Sequence, residues 1–163
     1  MKGRVWKFGD DVTTDHIIPG RLKYKVRDIQ DMKKYVFHDV KPEFASQVRE
    51  GDFIVAGKNF GYGSSREHAA RLLREVGIQA VIAKSFARIF FRNAINVGLP
   101  VIEAEVRADE GDLLELDMTS GIIRNLTTGE EFSFKPFPEP IAEILREGGI
   151  ASYYRKRGKF PWD

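Results

Sequence analysis

The middle third of the chain has the pattern of a parallel β/α unit, and this pattern limits the possible folds more than any other feature. Three short apolar segments alternate with two longer segments whose apolar residues recur at helical spacing. Strands and helices that alternate in this way are typical of parallel strands joined by crossover helices. The predicted order is a strand over 52–56, a helix over 64–76, a strand over 79–83, a helix over 85–97 and a strand over 99–103.

The last third predicts an antiparallel meander instead. Its apolar and polar residues alternate, and turn signals at Ser120-Gly121 and Thr128-Gly129 separate the segments. The predicted strands cover 112–118, 122–125 and 131–135, and short helices follow over 139–147 and 150–157. The first third predicts a strand over 5–8, an irregular loop over 12–20 and helical pieces around 28–37 and 43–49.

Length and composition narrow the classes of function. The 163 residues suit one domain, so residues 1–163 are expected to form a single mixed α/β domain. The chain has no cysteine, which excludes disulfides, thiolate metal ligands and a cysteine nucleophile. With 26 basic and 24 acidic residues, the net charge of +2 does not favour nucleic-acid binding. No apolar run is long enough for a membrane span and the start resembles no secretion signal, so a cytoplasmic location is expected.

A glycine-rich loop between the first of these strands and the first of these helices is the main candidate for chemistry. Such a loop directs backbone N–H groups and the positive end of the helix toward an anion. It does not fit a P-loop, because Lys58 precedes the glycines instead of following them. Arg66 stands where a dinucleotide fingerprint needs a small residue and where a nucleophile elbow needs glycine. The segment reads Gly57-Lys58-Asn59-Phe60-Gly61-Tyr62-Gly63-Ser64-Ser65-Arg66-Glu67-His68.

Two serines and an arginine remain at the start of the predicted helix, and they suit a carboxylate substrate. Arg66 can hold a carboxylate in a bidentate manner, Ser65 can donate a hydrogen bond, and the loop amides can stabilise an oxyanion. Ser64 could act as a base if the site favours its alkoxide. The structural alternative is that Ser64 caps the helix with Glu67, while Arg66 is a surface charge. The glycines favour function, because each costs stability unless a close backbone approach requires it.

Other candidates are open to either a functional or a structural interpretation. Asp15 and His16 could join the site or merely order their loop. His68 lies four residues after Ser64 on the same predicted helix face, where a hydrolase using Ser64 would need its base. The basic stretch over 21–27 could bind phosphate, an acidic partner or an anionic substrate, or be a solvated loop. The 3 histidines lack metal-ligand spacing, so no metal site is expected.

Three motifs together point to a known family. They are Val-Thr-Thr-Asp-His-Ile at 12–17, Gly-Tyr-Gly-Ser-Ser-Arg-Glu-His-Ala at 61–69 and Ala-Lys-Ser-Phe-Ala-Arg-Ile at 83–89. In this order and spacing they closely resemble the aconitase superfamily. The match is to its swivelling domain when that domain is a separate chain, as in the small subunits of 3-isopropylmalate dehydratase and homoaconitase. The resemblance covers nearly the whole chain.

This resemblance implies a β/β/α swivelling fold and half of an active site. It implies a hetero-oligomer in which a large partner subunit carries a [4Fe–4S] cluster, while this chain binds no cofactor. The cluster would remove hydroxide as a Lewis acid. Ser64 would take the proton next to a substrate carboxylate, and Arg66 and the backbone would hold that carboxylate with help from Ser65. Supporting roles would fall to Gly61, Gly63, Asp15, His16 and His68.

The substrate is expected to be a di- or tricarboxylate, and the residues after the Asp-His pair would contact its variable group. Arg27 lies twelve residues after Asp15, the spacing at which similar single-chain aconitases place a carboxylate-binding arginine. Arg27 or Arg21 would therefore suit a tricarboxylate, whereas Leu22 or Val26 could present an apolar wall. The separate short chain favours isopropylmalate, which makes the chain a subunit of leucine biosynthesis.

Two alternatives to this function are kept. The first is a homoaconitase small subunit or a related tricarboxylate hydro-lyase. The second belongs to another class, a stand-alone module that binds anions or nucleic acid through the basic stretch and the tail around 153–157. For the two-chain hydro-lyase, neither a nucleic-acid partner nor a membrane partner is expected.

Overall fold

Seven strands form one continuous sheet in the computed structural model, which describes residues 1–22, 28–64 and 67–163, and only the backbone of Glu67. The strands are β1 (Lys2–Lys7), β2 (Phe53–Ala56), β3 (Ala80–Ala83), β4 (Val101–Glu103), β5 (Leu113–Asp117), β6 (Ile122–Asn125) and β7 (Glu131–Ser133). Their order across the sheet is β4-β3-β2-β1-β5-β6-β7.

The described helices pack against one face of the parallel half of the sheet. They are α1 (Thr14–Ile17), α2 (Ile29–Met32), α3 (Phe44–Gln47), α4 (Glu67–Glu75), α5 (Arg88–Asn96), α6 (Glu139–Arg146) and α7 (Ile150–Arg157). Short 3-10 turns cover Gly20–Leu22 and Lys33–Tyr35. None of these helices is long and apolar enough to cross a membrane.

The sheet has a parallel half and an antiparallel half that meet at β1. Strands β1 to β4 are parallel to their neighbours, and α4 and α5 make the two crossovers from β2 to β3 and from β3 to β4. Strand β1 also pairs with β5 in the antiparallel sense, and β5, β6 and β7 form a meander. The parallel β/α unit and the meander predicted from the sequence are both confirmed.

Alternating side chains of the parallel strands enter two separate cores. In β2, Ile54 packs under the helices with Val81 of β3, whereas Phe53 and Val55 face the opposite side. That opposite core also contains Leu114 of the antiparallel half. The two halves of one sheet therefore share a core, and the helices form the third layer. This β/β/α arrangement agrees with the predicted fold.

The structure corrects the predicted start of α5. The helix begins at Arg88 and not at Ser85. The Ser85 hydroxyl accepts a hydrogen bond from the backbone N–H of Asn59 at 2.8 Å, and the Ser85 carbonyl accepts one from Phe60 at 3.0 Å. Because these long-range bonds occupy Ser85, the helix cannot begin there.

Other boundaries also differ from the prediction. Strand β1 begins at Lys2 instead of residue 5, because Lys2 and its neighbours pair with β5. The helix expected around 28–37 is only α2 followed by a 3-10 turn. The helix expected over 64–76 spans Glu67–Glu75, and its predicted capping box involves the side chain of Glu67, which lies outside the described residues.

Candidate active site at the carboxyl edge of the parallel strands

Three loops meet at the edge where β1, β2 and β3 end. Because these strands are parallel, their carboxyl ends lie at the same edge, where α/β proteins commonly bind ligands. The three loops carry the three motifs singled out in the sequence. The fold thus brings together segments that are about fifty and twenty residues apart in the chain.

Backbone hydrogen bonds fasten the first two loops to each other. The N–H of Gly61 donates to the carbonyl of Val12 at 2.6 Å, and the N–H of Thr14 donates to the carbonyl of Tyr62 at 2.9 Å. The N–H of Lys58 also donates to the Asp10 carboxylate at 2.7 Å. These contacts set the position of the glycine-rich loop that leads to Ser64.

The third loop packs on the other side of the glycine-rich loop. The N–H of Ala87 donates to the carbonyl of Phe60 at 3.0 Å, and the Phe60 ring lies 5.3 Å from that of Phe90. Gly61 fits against the same ring, since a Cβ built on it would lie 2.2 Å from a ring carbon of Phe90. Gly61 also has a φ of +84°, so a glycine is required there for both reasons.

Ser64 lies on the exposed rim of this edge and forms one described side-chain contact, to a buried threonine. Its Oγ is 3.2 Å from Oγ1 of Thr14, which is 3% exposed. Gly63 precedes it with a φ of +116°, and a Cβ there would lie 3.1 Å from the same Thr14 oxygen. The contact between the two hydroxyls therefore depends on glycine at position 63.

Asp15 and His16 order the loop around Thr14. Thr13 and His16 form a reciprocal cap: the His16 N–H donates to Thr13 Oγ1 at 3.0 Å, and the Thr13 N–H donates to His16 Nδ1 at 3.0 Å. The Asp15 carboxylate accepts a hydrogen bond from the Gly20 N–H at 2.7 Å. Both residues make local bonds that fix α1, the short helix on which Thr14 stands.

Arg21 lies beyond this loop and is already paired. Its guanidinium donates two hydrogen bonds to the Asp39 carboxylate, at 2.5 and 2.7 Å. These bonds hold the pKa of Asp39 below its usual value and raise the pKa of Arg21. Both side chains are exposed, so a carboxylate in solution can compete for Arg21. Arg27 lies outside the described residues.

The other residues predicted for the site are placed as follows. Ser65 and Arg66 lie outside the described residues. His68 is exposed in the first turn of α4. Ser64 contacts a threonine hydroxyl and no described histidine ring, which disfavours a serine hydrolase. Within 1–22, 28–64 and 67–163, no group of three or more His, Asp or Glu side chains could hold a metal ion.

One acidic residue pairs with two of the three basic residues at positions 155–157 of the tail. Lys156 and Arg157 both pair with Glu147, at 2.8 and 3.3 Å. These pairs hold the pKa of Glu147 below its usual value. Arg155 donates instead to the Ser152 hydroxyl at 3.2 Å, so the pairs with Glu147 weaken the support for a nucleic-acid module but leave the tail with a net positive charge.

The sequence did not single out Thr14 as a site residue. It belongs to the first motif, yet its neighbours Asp15 and His16 carry the more reactive side chains. The signal that could have identified Thr14 is a small hydroxyl residue next to the Asp-His pair, but only the pairing of two distant loops brings it to Ser64. The edge therefore offers two adjacent hydroxyls, one exposed and one buried, on an open surface.

Comparisons with known proteins agree with this arrangement. A family model described as the aconitase C-terminal domain matches residues 11–106. The 3-isopropylmalate dehydratase small subunit 1 of Thermotoga maritima is 53% identical over 163 residues, with 99% of this chain and 98% of that protein covered. The methanogen homoaconitase small subunit of Methanothermobacter thermautotrophicus is 54% identical over 156 residues, with 96% and 91% covered.

A solved structure has the same fold. A crystal structure of 3-isopropylmalate dehydratase from Methanocaldococcus jannaschii superposes with a TM-score of 0.91 and 44% sequence identity, with 96% of this chain and 94% of that chain covered. The predicted family and the predicted fold class are both confirmed. By the match over residues 11–106 and these relatives over nearly its whole length, the chain belongs to the aconitase C-terminal domain family.

Proposed function

We propose that this chain is the small subunit of a two-chain hydro-lyase that interconverts 2-isopropylmalate and 3-isopropylmalate by dehydration and rehydration. The observation that carries the proposal is the exposed Ser64 hydroxyl, held at an open edge by three fastened loops in a chain of this family. The names of the relatives from Thermotoga maritima and Methanocaldococcus jannaschii support this substrate.

In the proposed reaction, Ser64 removes a proton from the carbon next to a substrate carboxylate. The proton leaves on Oγ, a carbon–carbon double bond forms, and hydroxide departs from the neighbouring carbon. Addition of water with the opposite regiochemistry completes the isomerisation. Arg66 and Ser65 hold the carboxylate, and the positive end of α4, which begins at Glu67, favours the negative charge that develops there.

The proposed partner is a large subunit that completes the site. A [4Fe–4S] cluster held by that subunit would supply Lewis-acid chemistry for the loss of hydroxide. This chain has no cysteine to ligate such a cluster, so its contribution is the serine base and the carboxylate site. Tyr62 and Ile89 are 40% and 50% exposed at the same edge, where the large subunit would cover them. A hetero-oligomer in the cytoplasm is part of the proposal, as is a single domain over residues 1–163.

A homoaconitase-type small subunit is the second candidate. The chain is 54% identical to the methanogen homoaconitase small subunit and 53% identical to the Thermotoga maritima 3-isopropylmalate dehydratase small subunit, so identity does not separate the two substrates. The chemical difference lies in the third carboxylate, which Arg21 or Arg27 would bind. If Arg21 binds it, the tricarboxylate has to displace the pair that Arg21 forms with Asp39.

The substrate is tested by co-purifying the tagged chain with its large subunit under anaerobic conditions and measuring kcat/KM for both substrates. A clear preference for isopropylmalate supports the first proposal. A preference for homoaconitate assigns the chain to the second. Activity on neither substrate, together with salt-dependent binding to RNA or DNA, would replace both with the binding module.

The role of Ser64 is tested in the same complex. Ser64→Ala is expected to reduce turnover to background, because the oxygen that accepts the substrate proton is removed. The variant complex should still elute at the size of the wild-type complex, because Ser64 is exposed and its truncation to alanine removes no buried packing. Turnover within a few-fold of wild type would exclude Ser64 as the base.

A further inference from the structure

We infer that Thr14 is a positioning residue that stabilises the deprotonated form of Ser64 by donating its hydroxyl hydrogen to Ser64 Oγ. This inference rests on the proposed function, because it concerns the base of the proposed reaction. The distance between the two oxygens is 3.2 Å, and either oxygen could be the donor when both hydroxyls are protonated. Once Ser64 has lost its proton, its Oγ can only accept, so Thr14 must donate.

Thr14 is fixed so firmly that its hydroxyl has little freedom to move away. Its backbone N–H donates to Tyr62 at 2.9 Å, and its carbonyl accepts from Ile18 at 3.0 Å. The side chain is almost fully buried, whereas Ser64 is exposed. A donor held in place before the reaction stabilises a developing charge without reorganisation at the moment of proton transfer.

The local sequence is arranged around this contact. Thr14 is the first residue of α1, so no preceding turn of that helix offers a carbonyl to its hydroxyl. Within the part of the chain that the structure describes, the side chain that shares a hydrogen bond with Thr14 Oγ1 is that of Ser64. The reciprocal cap of Thr13 and His16 holds α1 in place, which gives His16 a supporting role through Thr14.

The test compares Thr14→Val, Thr14→Ser and Thr127→Val in the co-purified complex. Thr14→Val replaces the hydroxyl by a methyl group of similar size, Thr14→Ser keeps the hydroxyl, and Thr127→Val removes a hydroxyl in the antiparallel half that accepts from Leu113 N–H. A hydrogen bond to a charged group predicts that kcat for Thr14→Val falls about tenfold to a hundredfold, with KM within about twofold of wild type.

The conservative and the distant variants separate positioning from packing. We expect Thr14→Ser to retain kcat within about threefold of wild type and Thr127→Val to leave kcat unchanged. An unchanged kcat in Thr14→Val overturns the inference and leaves the proposed function standing. A loss of kcat in Thr14→Ser equal to that in Thr14→Val also overturns the inference, because packing of the methyl group and not the hydroxyl would then be responsible. A wild-type complex without hydro-lyase activity overturns the proposed function and the inference with it.

Discussion

At the scale of single residues, two glycines with nearly the same φ allow the cost of backbone strain to be distinguished from the cost of side-chain crowding. Gly61 has a φ of +84° and Gly129 a φ of +83°. A Cβ on Gly61 would lie 2.2 Å from Phe90, whereas nothing lies within 4 Å of one on Gly129. A left-handed conformation costs a non-glycine residue about 1–2 kcal/mol at either position. Only Gly61 would add the cost of overpacking, about 1–3 kcal/mol.

Gly61→Ala is therefore expected to lower the free energy of unfolding by at least about 1 kcal/mol more than Gly129→Ala. The difference should appear in denaturant unfolding of both variants beside the wild type, with unchanged m-values. Equal losses in the two variants would mean that Phe90 moves aside without cost. Gly61→Ala should also impair turnover, because the N–H of Gly61 fastens the two loops at 2.6 Å.

Some features of the candidate site could be predicted from single residues in the sequence, and others could not. The position of Ser64 between a glycine-rich loop and a helix was predictable from the sequence, whereas its role in the site stays a prediction. Its contact with Thr14 was not predictable, because the two residues are 50 positions apart and meet only through the pairing of loops after β1 and β2. Periodicity describes which face of an element is buried, but it contains no information on which loops touch.

At the scale of secondary-structure elements, a small polar cluster holds the β5–β6 hairpin to the preceding loop. The carboxylate of Asp112 accepts hydrogen bonds from Nδ2 of the fully buried Asn125 at 3.0 Å and from the N–H of Asp109 at 2.9 Å. These bonds lower the pKa of Asp112 below its usual value of 3.8, the one from Asn125 being the larger cause. The ionised form is therefore stabilised in the folded protein.

This cluster predicts a pH dependence with a defined sign. Because the folded pKa of Asp112 is lower than the unfolded one, its contribution to stability is present above about pH 4 and is lost as pH falls through the folded pKa. Asp112→Asn should therefore be less stable than wild type at pH 7, and the difference in Tm should shrink toward pH 2. Glu103→Gln, on the exposed end of β4, serves as the control. A Tm difference independent of pH would mean that packing and not charge is lost.

Element boundaries were the least predictable part of the fold. Residues 85–87 have apolar spacing suited to a helix, yet α5 begins only at Arg88 because Ser85 bonds to the glycine-rich loop. Strand β2 begins at Phe53, because Asp52 ends a turn: its backbone N–H donates to the Arg49 carbonyl at 3.1 Å and its carboxylate accepts from the N–H of Arg49 at 2.9 Å. A long-range bond occupies Ser85 before α5 and a local turn precedes β2, and apolar spacing reports neither of them.

At the scale of the whole molecule, both halves of the sheet expose large apolar side chains, and they differ in where these lie relative to the candidate site: Leu113 and Leu126 lie in the antiparallel half, away from the loops that carry Ser64. The meander half buries Leu114 and Ile123 in the shared core and places charged residues such as Arg124 on its outer face. At the carboxyl edge of the parallel half, the exposed apolar side chains are Tyr62, two residues before Ser64, and Ile89, in the first turn of α5. Exposed apolar side chains on the loops and helix ends of a candidate site suit a surface that another chain covers.

The proposed assembly therefore predicts a position-dependent loss of affinity. Replacing both Tyr62 and Ile89 by serine should raise the Kd for the large subunit about tenfold to a hundredfold, since two partly exposed apolar side chains would no longer be buried there. Leu126→Ser is the matched control, because Leu126 is 42% exposed but lies after β6, in the antiparallel half. Calorimetric titration of each variant into the large subunit measures the difference.

Equal affinity for the double variant and the wild type would place the partner elsewhere on the molecule. A loss confined to Leu126→Ser would place it on the meander, which would leave Ser64 facing solvent and the proposed shared site without its second half.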